Sequence, residues 1–73
     1  MSLYLKVKKD FIEITDYTSL QITDMVKIYS HKSNKFISKV PYLVKDIHDN
    51  QIILEGMDGR SIVFDIESRK LIA

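Results

Sequence analysis

The stretch QIILEGMDGRSIVFD, residues 51–65, decides the fold, because two apolar alternating runs flank an Asp-Gly pair. Asp58-Gly59 is the strongest hairpin signal in the chain. A two-residue loop there would pair Glu55 with Ile62 and Ile52 with Asp65, which sets charges opposite apolar side chains on both faces. A three-residue loop, Met57-Asp58-Gly59 with Gly59 left-handed in a G1 bulge, pairs Leu54 with Ile62 and Ile52 with Phe64 on one face. Glu55 with Ser61 and Gln51 with Asp65 then share the other. A sheet with one buried face selects the register that segregates its side chains, so the three-residue loop is expected.

Working toward the N-terminus, Asp49-Asn50 reads as a tight turn that brings Ile47 opposite Ile52. The result is a three-stranded meander with an expected core row of Leu43, Ile47, Ile52, Leu54, Ile62 and Phe64. Its outer face carries Tyr42, Val44, Ile53 and Val63 beside Asp46, Glu55 and Asp65, an apolar patch that the N-terminal hairpin or a partner would cover. Pro41 lacks an amide donor and should sit at an edge or bulge, splitting 36–40 from 42–47. Beyond the meander, Lys70-Leu71-Ile72 reads as a short closing strand.

At the N-terminus, Leu3, Leu5 and Val7 alternate with polar neighbours, and the phase then switches to Ile12 and Ile14. The switch predicts a bend at Lys9-Asp10 and a hairpin of 3–8 with 11–16, or one long strand with a bulge. Residues 17–23 form a polar connection into a strand at 24–30. Ile22, Met25, Val26 and Tyr29 also fall at helical spacing with Thr23 or Asp24 as N-cap, so a short helix near 18–32 is the alternative.

Composition agrees with the pattern. Val and Ile supply 16 of the 33 apolar residues, while the chain holds one alanine, three glutamates and two glutamines. Branching at Cβ restricts rotamers in a helix and packs well on a pleated surface. Seventy-three residues accommodate one core, so residues 1–73 are expected to form a single small β domain. Five or six short antiparallel strands without helical crossovers leave a small SH3-like or OB-like barrel, or a compact sandwich; the barrel is the expectation. The stretch from Met25 to Ile66 bears a generic resemblance to SH3-like barrels, without the glycine-led pattern of KOW domains, since 27–40 contains no glycine.

No apolar run exceeds three residues, so neither a secretory segment nor a membrane span is expected. The absence of cysteine removes disulfides, thiolate zinc sites and a cysteine nucleophile, and suits a reducing, cytoplasmic setting.

Charge gives the functional lead. Residues 1–45 carry a net +4 and residues 46–73 a net −3, hidden in a total of +1. Lys27, Lys32, Lys35, Lys39 and Lys45, with His31, lie in a stretch free of acidic residues and interleaved with Tyr29, Phe36 and Tyr42. Lysines that neutralise phosphates release counterions, and exposed aromatics stack on unpaired bases. The layout points to RNA or single-stranded DNA, contacted through Lys27, Tyr29, His31, Lys32, Lys35, Phe36, Lys39 and Lys45. Against it, lysines near an edge strand also prevent strand-to-strand aggregation, and Tyr29 and Phe36 read as core residues rather than as a stacking platform. The competing expectation is a protein-interaction module or homo-oligomer that uses Tyr42, Val44, Ile53 and Val63, with no nucleic-acid role.

Catalysis is not expected. His31 and His48 fall in turns, adjacency of Ser30 and His31 does not aim one side chain at the other, and Gly56 and Gly59 are both used by one hairpin rather than a phosphate-binding loop. Asp46, His48 and Asp49 are scattered donors that read as a polar turn, so no metal or other cofactor is assigned.

Overall fold

The computed structural model describes residues 1–72. Strand β6 (Gln51–Glu55) pairs with β7 (Ser61–Asp65) in the register expected from side-chain segregation, with Leu54 opposite Ile62 and Ile52 opposite Phe64. The Gly59 amide donates to the Gly56 carbonyl at 3.0 Å, and Gly59 takes φ +82°, the left-handed conformation that completes the bulge. Strand β5 (Tyr42–His48) reaches β6 through Asp49 and Asn50, both at positive φ as a type I′ turn requires, and Ile47 faces Ile52.

One feature of β5 departs from the sequence reading. Val44 pairs with Leu54 but Asp46 pairs with Ile53, so Lys45 is an extra residue in a β-bulge. The bulge reverses the phase of the strand before it. Val44 is fully buried in the core, whereas Leu43, expected in the core row, stands opposite Glu55 on the outer face. Tyr42, expected outside, lies opposite the buried Val26 and packs against the core. Of the expected outer row, only Ile53 and Val63 face outward as a cross-strand pair.

Strand β1 (Ser2–Val7) and β2 (Asp10–Glu13) form the N-terminal hairpin, with Leu5 opposite Ile12 and Val7 opposite Asp10. The turn is Lys8-Lys9, one residue earlier than expected. Two loop residues pair odd positions with even ones, which explains the phase switch. A single 3-10 turn, Tyr17–Ser19, follows; the Asp16 side chain accepts from the Thr18 amide at 3.0 Å. The helix alternative does not form. Residues 25–30 are strand β3 (Met25–Ser30), whose period of two buries Val26, Ile28 and Ser30 and turns Met25, Lys27 and Tyr29 outward. Helical winding would have spent that face on Ile22, which is 54% exposed.

Strand β4 (Lys35–Phe36) is short, pairs with the end of β3, and gives way to a bend before Pro41 and the start of β5. Strand β8 (Lys70–Leu71) closes the chain against β7. The described residues are thus nearly all β, one antiparallel sheet of eight strands in the order β2-β1-β3-β5-β6-β7-β8, with β4 on β3. The sheet is not closed into a continuous ladder. It curls around Leu3, Ile14, Leu20, Val26, Ile28, Val44, Ile52, Leu54 and Phe64, and the N-terminal amine donates to the Arg69 carbonyl at 3.0 Å across the seam. No helix among the described residues is long and apolar enough to cross a membrane.

Candidate nucleic-acid interface

The outward residues of β1 and β3 are fixed by pairing. Leu3 opposite Ile28 and Leu5 opposite Val26 face the core, so Tyr4 and Lys27, opposite each other, face away from it, as does Tyr29. Phe36 lies opposite Tyr29 on β4 and extends that face. The three rings form one cluster. Tyr4 and Phe36 centroids are 5.1 Å apart at 82°, Tyr29 and Phe36 are 5.3 Å apart at 80°, and Tyr4 and Tyr29 are 5.7 Å apart. Edge-to-face packing of this kind holds ring orientation and adds about 0.5–1.5 kcal/mol per pair beyond area burial. Tyr29 and Phe36 therefore do not fill the core; Phe36 is 37% exposed.

Lys27 sits within this face. Its Nζ lies 4.5 Å from the Phe11 centroid and 5.5 Å from the Phe36 centroid, a cation held over two rings. Phe11 belongs to β2 and stands opposite Lys6, so both share the outer side. His31 borders the cluster, 5.2 Å from Tyr29, with its Nε2 hydrogen-bonded to Ser2 Oγ at 2.6 Å.

Of the expected site residues, the fold brings Lys27, Tyr29, His31 and Phe36 together. Lys32 is exposed in the turn between β3 and β4; Lys35 is exposed on β4 but stands opposite the inward Ser30, on the side of the strand away from Phe36. Lys39 is exposed in the bend before β5, apart from any aromatic contact. Lys45 occupies the bulge and pairs with Glu55 at 3.3 Å, which removes it from the set of free cations. Among the described residues, Lys27, Lys32, Lys35 and Lys39 form no ion pair. Sequence reasoning missed Tyr4, Lys6 and Phe11. The alternation of Tyr4 and Lys6 with Leu3, Leu5 and Val7 was the available signal, since it sets both on the side away from the core.

The same face is not uniformly basic. Glu13 lies opposite Tyr4 at the end of β2, exposed and, among the described residues, without an ion pair. Two other carboxylates are held below the usual range by turn hydrogen bonds: Asp16 by the side chain and then the amide of Thr18, Asp65 by the amide and then the side chain of Ser68. Both serve local turns and neither belongs to the face. Burial pushes the Tyr17 hydroxyl up against the opposing pull of the Leu3 backbone and the Arg69 charge, and among the described residues that oxygen makes no hydrogen bond of full geometry. Among the described residues no group of three or more His, Cys, Asp or Glu side chains converges; His48 pairs instead with Asp49 at 3.1 Å. No protein-family model, curated protein or solved structure matches this chain.

Proposed function

We propose that this protein is a non-catalytic binding module, built as a small SH3-like or OB-like barrel, that contacts unpaired nucleic acid, RNA or single-stranded DNA, in the cytoplasm. The observation that carries the reading is the outward cluster of Tyr4, Tyr29 and Phe36 around Lys27, with Lys32 exposed in the adjoining turn. Aromatic rings supply stacking surfaces that any base accepts, and lysines without carboxylate partners supply phosphate contacts. A duplex would hide its base faces from such a surface.

The test is fluorescence anisotropy with labelled single-stranded RNA and DNA, titrated from low to high salt. Retention at low salt and a linear fall of log affinity with log salt are expected. Phe36→Ala should weaken binding by about 1–3 kcal/mol, roughly 5- to 150-fold. Lys32→Glu with Lys35→Glu should abolish it. Absence of binding at low salt ends the reading.

A second reading, a protein-interaction module or homo-oligomer, draws on the outward Ile53–Val63 pair, joined on the outer face by Leu43 and Met25. It predicts a solution mass above the 8.5 kDa of one chain, reduced to that value by Ile53→Asp. A monodisperse monomer that captures no protein partner rejects it.

A further inference from the structure

We infer that Lys27 is an exchangeable cation: on binding, its ammonium leaves the ring faces of Phe11 and Phe36 for a phosphate, and the vacated faces take bases of a single strand. The inference rests on the nucleic-acid reading and adds to it a mechanism and a second base platform, Phe11.

Three observations carry it. The Lys27 ammonium has no carboxylate within ion-pair distance among the described residues and lies instead over the two rings. A cation over a ring at the protein surface is held weakly, whereas a phosphate offers a full negative charge and releases a counterion. Second, Lys27 stands between the rings. Phe11 comes from β2, beyond Lys6 of β1, while Phe36 comes from β4 on the opposite flank of β3, and the nitrogen is within 4.5 and 5.5 Å of their centroids. A phosphate that meets Lys27 is therefore flanked by two aromatic platforms, the arrangement of one phosphodiester between two bases. Third, Tyr4 lies opposite Lys27 and packs on Phe36, so the Phe36 ring is held by its aromatic neighbours and Phe11 by its strand position opposite Lys6.

The alternative is that Lys27 is a fixed part of the cluster that tethers Phe11 to Phe36 and stays there in the complex. Anisotropy with an oligothymidine of about 10 nucleotides, within the span of one small domain, separates the two. For exchange, Lys27→Met, which keeps the apolar stem and removes the charge, lowers the slope of log affinity against log salt by about 0.7, one phosphate on a single strand. Phe11→Ala lowers affinity at least fivefold with the slope unchanged. Phe11→Leu, which preserves apolar bulk and removes the π face, shows the same loss and guards against misfolding of the alanine variant. In the NMR spectrum, the ring-current shift of the Lys27 ε-methylene collapses as the oligonucleotide saturates the protein.

A Lys27→Met slope equal to wild type, a persistent ring-current shift at saturation, or Phe11→Leu binding as wild type each overturns the exchange. These outcomes leave wild-type binding intact. If the wild-type protein binds neither oligothymidine nor the matching oligouridine at low salt, the nucleic-acid reading falls and the exchange falls with it.

Discussion

The bulge at Lys45 sets which residues of β5 support the fold, and a pair of alanine substitutions measures it. Val44 is fully buried, so Val44→Ala removes two side-chain carbons from a closed environment. At about 0.8 kcal/mol per carbon, with a cavity contribution added, the loss is about 2–3 kcal/mol. A chain of this length holds about 4–11 kcal/mol in total, so the change is large, and it lowers Tm by about 10–20 °C. Leu43 loses more carbons on truncation, but it stands outside the core and is half-buried, so Leu43→Ala costs about 1 kcal/mol or less. Urea denaturation followed by circular dichroism gives both values, with unchanged m-values as the check on two-state behaviour. Deleting Lys45 makes a sharper variant: Val44 still meets Leu54 and Asp46 still meets Ile53, so the chain folds with its rows intact and loses the Glu55 ion pair. A Leu43→Ala cost above that of Val44→Ala, or unfolding on deletion of Lys45, refutes the bulge as the origin of the phase.

Four further outcomes follow from named contacts. Phe36→Leu keeps apolar bulk and costs less than about 1.5 kcal/mol of stability, yet loses oligonucleotide affinity nearly as Phe36→Ala does, measured by melting and anisotropy on the same samples. Tyr17→Phe removes a buried hydroxyl whose one polar neighbour, the Leu3 backbone, is poorly aligned, and raises stability to urea by less than about 1 kcal/mol. Gly59→Ala would place a Cβ with no atom within 4 Å, so only the left-handed backbone resists it; a loss of about 1–2 kcal/mol is expected in thermal melts. Asp16 and Asp65 have folded values below 3.8, so their stabilisation is complete above that pH and is lost as pH falls through the lower folded values; Asp16→Asn with Asp65→Asn should flatten the acid limb of the stability curve there.

The sequence exposed some of this and hid the rest for identifiable reasons. The register of β6 on β7 was legible because only one loop length segregates Ile52, Leu54, Ile62 and Phe64 from Gln51, Glu55, Ser61 and Asp65. The phase of β5 was not, because Leu43 and Val44 are adjacent apolar residues and either can face inward, while Lys45 has no glycine to mark the bulge. The aromatic face was half legible. Tyr29 and Phe36 lie on either side of one turn, so local spacing joins them. Tyr4 and Phe11 reach Lys27 only through the pairing of β1 with β3, a contact between segments more than twenty residues apart that no local period encodes.

The outward placement of the rings follows from the core. Slipping β3 by one residue would bury Tyr29 and expose Val26 and Ile28, both at 0% exposure, so the strand period forces Lys27 and Tyr29 to the surface together. The same topology separates the charges. Lys6, Lys27, Lys32 and Lys35 lie on or beside β1, β3 and β4, while Glu55 and Asp65 belong to β6 and β7, further along the sheet order. The domain measures 27 × 26 × 26 Å, and at physiological ionic strength charges are screened beyond about 8 Å. On the proposed reading, a phosphate at Lys27 would respond to its neighbouring lysines and to Glu13 far more than to the acidic half. The net charge of +1 averages two surfaces that a bound strand would meet separately, which makes it a poor guide to the field at this face.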